Sequence, residues 1–125
     1  MKTILYREES YAIMGAAFEV YNTLGSGLPE SVYHECLSIE FIAREIPFRS
    51  EEDINVYYKK RKISKKFRAD FVCYDKIILE LKAVSFLNDE HRGQILSYLR
   101  ASKYEVGILM NFGQVKELRY ERFLI

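Results

Sequence analysis

The stretch Ile77-Ile78-Leu79-Glu80-Leu81-Lys82-Ala83-Val84 constrains this chain more than any other. It is apolar and rich in branched side chains, as a strand inside a sheet is. It also carries Glu80 and Lys82, two residues apart. Strand side chains alternate between faces, so these two charges point the same way. Leu79 and Leu81 point the other way, toward a core. Burying a charge is expensive unless it is paired or binds a metal. A fold that keeps a carboxylate and an ammonium together on such a strand has a use for them. Just upstream, Arg68-Ala69-Asp70-Phe71-Val72 supplies a second strand with one acid, Asp70.

The remaining elements fix the fold class. Helix periodicity spans about residues 8–24, with apolar stripes Tyr11-Met14-Phe18-Tyr21 and Ile13-Ala17-Val20-Leu24, and Gly25-Ser26-Gly27 ends it. Pro29 suits the first turn of a second helix, to about Arg44, with Val32-Cys36-Ile39 and Tyr33-Leu37 as its apolar positions. Strands follow at about 53–58, 66–74 and 76–84. Asn88 or Asp89 caps a third helix ending near Ser102. Val106-Gly107-Ile108-Leu109-Met110 is apolar throughout, as in a strand covered on both faces. A last strand is expected over 116–123. The order α-α-β-β-β-α-β-β predicts an α/β (α+β) fold, a mixed sheet flanked by helices.

At 125 residues the chain is expected to form one domain, residues 1–125, with a substantial core. The beginning shows no apolar run of signal-peptide length and no segment suits a membrane span, so the expected location is the cytoplasm. Cys36 and Cys73 fall inside regular elements and read as buried thiols. A net charge of +1 excludes a generally basic nucleic-acid coat. The distribution is informative, because Lys59, Lys60, Arg61, Lys62, Lys65, Lys66 and Arg68 crowd seven basic residues into ten positions. Alone, the run reads as a solvated hairpin. Its place just before Asp70 favours a polyanionic partner.

A three-residue loop Tyr74-Asp75-Lys76 would set Asp70 opposite Glu80 across a hairpin, at Cβ spacings of about 5 Å. Two carboxylates that close repel unless a cation separates them. Oxygen donors of this kind suit Mg²⁺ or Mn²⁺ rather than zinc. Lys82, one step along the same face, is placed to orient an attacking water or to offset charge growing on a phosphate. Metal, water and cation together make a phosphodiester hydrolysis site. The competing reading is a salt-bridged cluster of the same three residues.

Asp70 followed by Glu80-Leu81-Lys82 resembles the Asp…Glu-x-Lys signature of the PD-(D/E)XK nuclease superfamily, with Ala69 where the superfamily name has Pro. Gly27-Leu28-Pro29-Glu30-Ser31-Val32-Tyr33 resembles the Gly-x-x-Glu-x-x-Tyr motif that names the GxxExxY protein family. The likeness continues through Gln94-Ile95-Leu96-Ser97-Tyr98 and Asn111-Phe112-Gly113.

The resemblance implies a metal-dependent nuclease acting on DNA or RNA. It adds Glu30 to the metal site, where dipole placement at a helix start is the alternative role. It adds Gln94, to position a phosphate or a water on the metal. Gln94 and Tyr98 share a helix face. Tyr98 is placed to stack beside the site or to pack in the core, and Tyr33 to pack beneath Glu30. Glu19 is a lesser candidate, to hold the Gly25-Ser26-Gly27 loop. His34 and His91 read as surface histidines, with His91 able to approach the site. The competing functions are a non-cleaving nucleic-acid- or protein-binding module and a small subunit of a larger assembly. A homodimer or a partner protein would supply substrate recognition that so short a chain lacks.

Overall fold

The computed structural model describes residues 4–125. Two helices lead, α1 (Arg7–Leu24) and α2 (Glu30–Ala43), followed by strands β1 (Phe48–Tyr58), β2 (Arg61–Cys73) and β3 (Ile77–Lys82). Helix α3 (Asp89–Ala101) then precedes β4 (Val106–Asn111) and β5 (Arg119–Leu124). The strands form one sheet in the order β1-β2-β3-β4-β5. Only β3 and β4 run parallel, joined by the crossover through α3. The expected mixed sheet and element order are both present.

The main core lies between the sheet and the α1–α2 pair. Helix α1 contributes Ile13, Ala17 and Val20, and α2 contributes Tyr33, Leu37 and Phe41. They meet Ile77, Leu79 and Leu81 of β3 and Ile108 and Met110 of β4. A smaller cluster on the opposite face joins Ile54, Ala69, Val72 and Ile78 to Leu99 of α3. The inner strand β4 is buried along its whole length, as its unbroken apolar run predicts. Both cysteines are free, with Cys73 buried and Cys36 half-buried.

Several expectations need correction. Of the first α1 stripe, Tyr11 is 83% exposed, so that face is only partly core. Ile39 on α2 likewise faces outward. Pro29 is the cap residue before α2 rather than its first turn, in extended conformation at φ −62° and ψ 150°. Strand β1 ends at Tyr58 as expected but starts earlier, at Phe48, and β2 starts earlier than expected, at Arg61, directly after a two-residue turn at Lys59-Lys60. Both lysines are left-handed there, at φ 48° and 68°. Tight hairpin turns demand that geometry and usually recruit Gly or Asn for it, so the lysines concealed the turn. Among the described residues, no helix is long and apolar enough to cross a membrane.

Candidate active site

The site forms where β2, still paired with β1, parts from β3. Strands β2 and β3 pair as Cys73–Ile77, Val72–Ile78 and Phe71–Leu79, the register expected from a Tyr74-Asp75-Lys76 loop. Pairing stops there, one step short of Asp70 and Glu80. The Asp70 side chain takes over from the backbone, its Oδ2 accepting a 2.7 Å hydrogen bond from the Leu81 N–H. Two further observations mark a turnover of the strand. Phe71 and Cys73 pack under α1 and α2, whereas Phe67 and Ala69 pack against the α3 side. Strict alternation would keep all four on one face. Opposite, Glu51 of β1 is left-handed at φ 50°.

Glu80 is 6% exposed, and its Oε1 is buried with no hydrogen-bond partner among the described residues. Burial pushes its pKa up to about 9; the Asp70 carboxylate and its contact add to the rise, and Lys82 opposes it. Glu30 opens α2 from the neighbouring corner. Its carboxyl is solvent-accessible yet also raised, first by partial desolvation and then by Asp70, against the pull of Lys82 and His34. The Tyr98 hydroxyl is raised by burial and by the charges of Glu80 and Asp70. Glu30, Asp70, Glu80, Lys82 and Tyr98 thus share one electrostatic neighbourhood. An acceptor left alone among like charges is the arrangement a cation relieves.

The donor set fits a hard divalent ion. Asp70 and Glu80 offer oxygen only, and Mg²⁺ commonly takes one or two protein carboxylates and fills its other positions with water and phosphate. Among the described residues, no three His, Cys, Asp or Glu side chains converge closely enough to hold a metal. Glu30 and Asp70 bear on one another through charge in this geometry.

The other sequence candidates divide. Tyr98 stacks face to face on Phe67, with centroids 3.8 Å apart, so it packs and borders the acids at once. Gln94 lies one turn earlier on α3, exposed, and its side chain makes no hydrogen bond among the described residues. Lys59, Lys60, Arg61, Lys62, Lys65, Lys66 and Arg68 all stand exposed on the β1–β2 hairpin. Arg68 reaches Asp53 at 3.3 Å. His91 completes the capping box of α3, accepting from the Asn88 N–H while Asn88 accepts from its own. Glu19 is exposed, and the Gly25–Leu28 loop is held by Tyr33 instead.

His34 is half-buried rather than a surface histidine. Its ring stacks on Phe71 at 4.2 Å, and Nε2 lies 3.2 Å from the Asp70 carbonyl oxygen. The available signal was its spacing from Glu30, four residues along the same helix face. Asn111 is buried without exposure and hydrogen-bonds the chain just beyond Lys82. Nothing in its strand's apolar pattern announced that role.

A comparison with curated proteins finds no match. Among solved structures, one described as "Crystal structure of SSO0001" is similar in fold, with a TM-score of 0.59 at 12% identity. That match covers 98% of this chain and 78% of the other. A profile of the PD-(D/E)XK nuclease superfamily matches residues 7–123. With the Asp70, Glu80 and Lys82 cluster at the end of a mixed sheet, the chain belongs to the PD-(D/E)XK nuclease superfamily.

Proposed function

We propose that this chain is a metal-dependent nuclease that hydrolyses phosphodiester bonds in DNA or RNA. The carrying observation is the buried, unpartnered Glu80 Oε1 beside Asp70 and Lys82. Divalent-metal use is general in the superfamily. Within it, the motif order from Gly27 to Gly113 favours the GxxExxY family.

Asp70 and Glu80 would hold Mg²⁺ or Mn²⁺. When bound there, the ion supplies Lewis acidity toward the phosphate and makes a water more acidic. The chain's own residues do the rest. The Leu81 N–H fixes one Asp70 oxygen, so the carboxylate presents a set orientation. Lys82 faces the scissile phosphate, where its ammonium orients the attacking water and offsets the charge that grows on the phosphate oxygens. Glu30, whose carboxyl feels the charge of Asp70, would hold a water beside it. Gln94 reaches a phosphate or that water from α3, and Tyr98 flanks the bound strand. The basic hairpin, with Lys60, Arg61, Lys62, Lys65, Lys66 and Arg68, grips phosphate backbone rather than base edges.

The test is cleavage of single- and double-stranded DNA and RNA by purified protein with Mg²⁺ or Mn²⁺. Cutting that stops with EDTA and is lost in Glu80→Gln supports the reading. Tight nucleic-acid binding with no cutting of any substrate under either metal would replace it with the non-cleaving binding module.

A further inference from the structure

Strand β3 ends at Lys82, and a strand's last residue is where backbone pairing normally weakens. Here the backbone is secured on both sides of the lysine. Lys82 pairs with Asn111 in the parallel β3–β4 ladder, and the Phe112 N–H donates to the Lys82 carbonyl at 2.8 Å. Beyond it, the Asn111 side chain engages Val84 in both directions. Its Oδ1 accepts from the Val84 N–H at 3.0 Å, and its Nδ2 donates to the Val84 carbonyl at 2.8 Å. A side-chain amide with one acceptor and one donor group thereby copies the two-way exchange of a strand residue. The same Oδ1 accepts from the Gly113 N–H at 3.0 Å. Gly113 lies flat against this segment, since an added Cβ would sit 2.4 Å from both the nitrogen and the oxygen of Val84. Only glycine permits that approach.

The fastening continues across the core. Phe112 is fully buried and stacks on Tyr33, with centroids 4.7 Å apart and planes 18° from parallel. The Tyr33 hydroxyl donates to the Gly25 carbonyl at 2.6 Å and accepts from the Leu28 N–H at 3.2 Å. Those bonds fix the loop that delivers Glu30 at the start of α2. One continuous set of contacts therefore runs from the Lys82 backbone to the residues carrying Glu30.

We propose that Asn111, Phe112 and Gly113 form a clasp of positioning residues that sets Lys82 for the reaction, and that Tyr33 extends the clasp to Glu30. The proposal rests on the nuclease reading for its catalytic consequence, and its geometric content stands apart from that reading. None of these residues need touch substrate. Their role is to keep the ammonium in place, because a misplacement of about 1 Å can cost on the order of 10² in rate.

The decisive variant is Gly113→Ala, which removes no functional group and wedges a methyl against Val84. In single-turnover cleavage at saturating substrate and Mn²⁺, its rate should fall on the order of 10²-fold, with Mn²⁺ and nucleic-acid affinity changed less than about twofold. A double-mutant cycle with Lys82→Ala separates positioning from general damage. Gly113→Ala should cost nothing further once Lys82 is gone; a full additional loss overturns the proposal. If Gly113→Ala does not fold, Tyr33→Phe keeps the stacked ring and deletes both loop bonds. Its rate loss should vanish in a Glu30→Gln background, and persistence there overturns the extension to Glu30. A readout free of cleavage is the ¹³C signal of reductively methylated Lys82, assigned by its absence in Lys82→Arg. That signal should shift in Gly113→Ala and stay fixed in Arg49→Ala. If wild type cuts nothing, the nuclease reading fails, and the lysine signal still decides the clasp: a signal unmoved by Gly113→Ala overturns it.

Discussion

The β2–β3 hairpin handles charge in opposite ways at its two ends. At the loop end, Asp75 pairs with Arg49, and Lys76 meets Glu9 at 3.3 Å. Each charge there has an opposite partner and open water. At the other end, Asp70 and Glu80 stand together with one ammonium near them, and Glu80 is buried. Exposed pairs of the first kind contribute about 0–1 kcal/mol each and are easily replaced. Two acids held together, one of them buried and kept protonated by that burial, are unfavourable in themselves, so their presence indicates a demand other than stability. The difference separates a surface from a site, though both ends belong to one hairpin and share one composition.

The strongest challenge to that contrast is Lys82→Ala. Under the catalytic reading, cleavage falls on the order of 10²–10³-fold while metal and nucleic-acid binding survive. Under a purely structural salt-bridge reading, the change strands buried acids and lowers stability by roughly 3–5 kcal/mol. Thermal melts and cleavage rates, with and without Mn²⁺, separate the two. A large melting loss that Mn²⁺ fails to restore would turn the acid end into another structural pair.

A second challenge uses pH. Glu80 ionises at about 9 in the fold against an ordinary 4.5. The native state therefore holds this proton more tightly than the unfolded chain does. Its contribution to stability is complete below about pH 4.5 and is lost as pH rises through about 9. Glu30 shifts in the same direction and adds to the loss. Metal-free wild type should lose stability on the order of a few kcal/mol across that window by chemical denaturation. Glu80→Gln should make the profile much flatter and abolish stabilisation by Mn²⁺, which favours the ionised carboxylate. A profile equally steep in Glu80→Gln would assign the effect to other groups.

Much of this contrast was legible in the sequence. Glu80 and Lys82 stood out because apolar neighbours fixed the strand and alternation then fixed their common face. Asp70 followed from counting residues through the Tyr74-Asp75-Lys76 loop. What failed was the local detail. The ladder stops before Asp70 and Glu80, and Asp70 bonds the Leu81 N–H instead, because β2 turns over there. Period-two alternation cannot anticipate its own interruption. His34 escaped because its contact is with a backbone carbonyl of a residue 36 positions away, and no residue type encodes that. The full reach of the basic hairpin escaped because its turn uses lysines where glycine or asparagine would have marked it.

The hairpin offers a smaller, graded effect that sharpens the comparison between paired and unpaired charge. Among the described residues, its lysines make no ion pair of the kind that holds Arg49 at the loop end. If they meet phosphates, binding should weaken with salt at a slope of about 0.7–0.9 per contact, with the lower figure for single strands. Neutralising Lys60, Lys62, Lys65 and Lys66 together should flatten the slope by up to roughly 3.6, less if some contacts are water-bridged. Cleavage at saturating substrate should stay near wild type, because the change acts on binding. An unchanged salt slope would return this arm to a merely solvated surface.

The smallest effect is expected where the charges are best matched. Arg49 is raised by its hydrogen bond to Asp75, but the side chains remain 42% and 74% exposed. Water and salt screen such a pair, so geometry alone does not make it strong. A double-mutant cycle of Arg49→Ala and Asp75→Ala should give a coupling below about 1 kcal/mol, shrinking further at high salt. Neither variant should alter cleavage or Mn²⁺ affinity, because the pair sits at the far end of the hairpin from Asp70 and Glu80. A coupling of several kcal/mol would erase the distinction drawn between the two ends. A loss of Mn²⁺ binding would show instead that the loop end transmits its geometry along β2 and β3, and that the hairpin works as one unit.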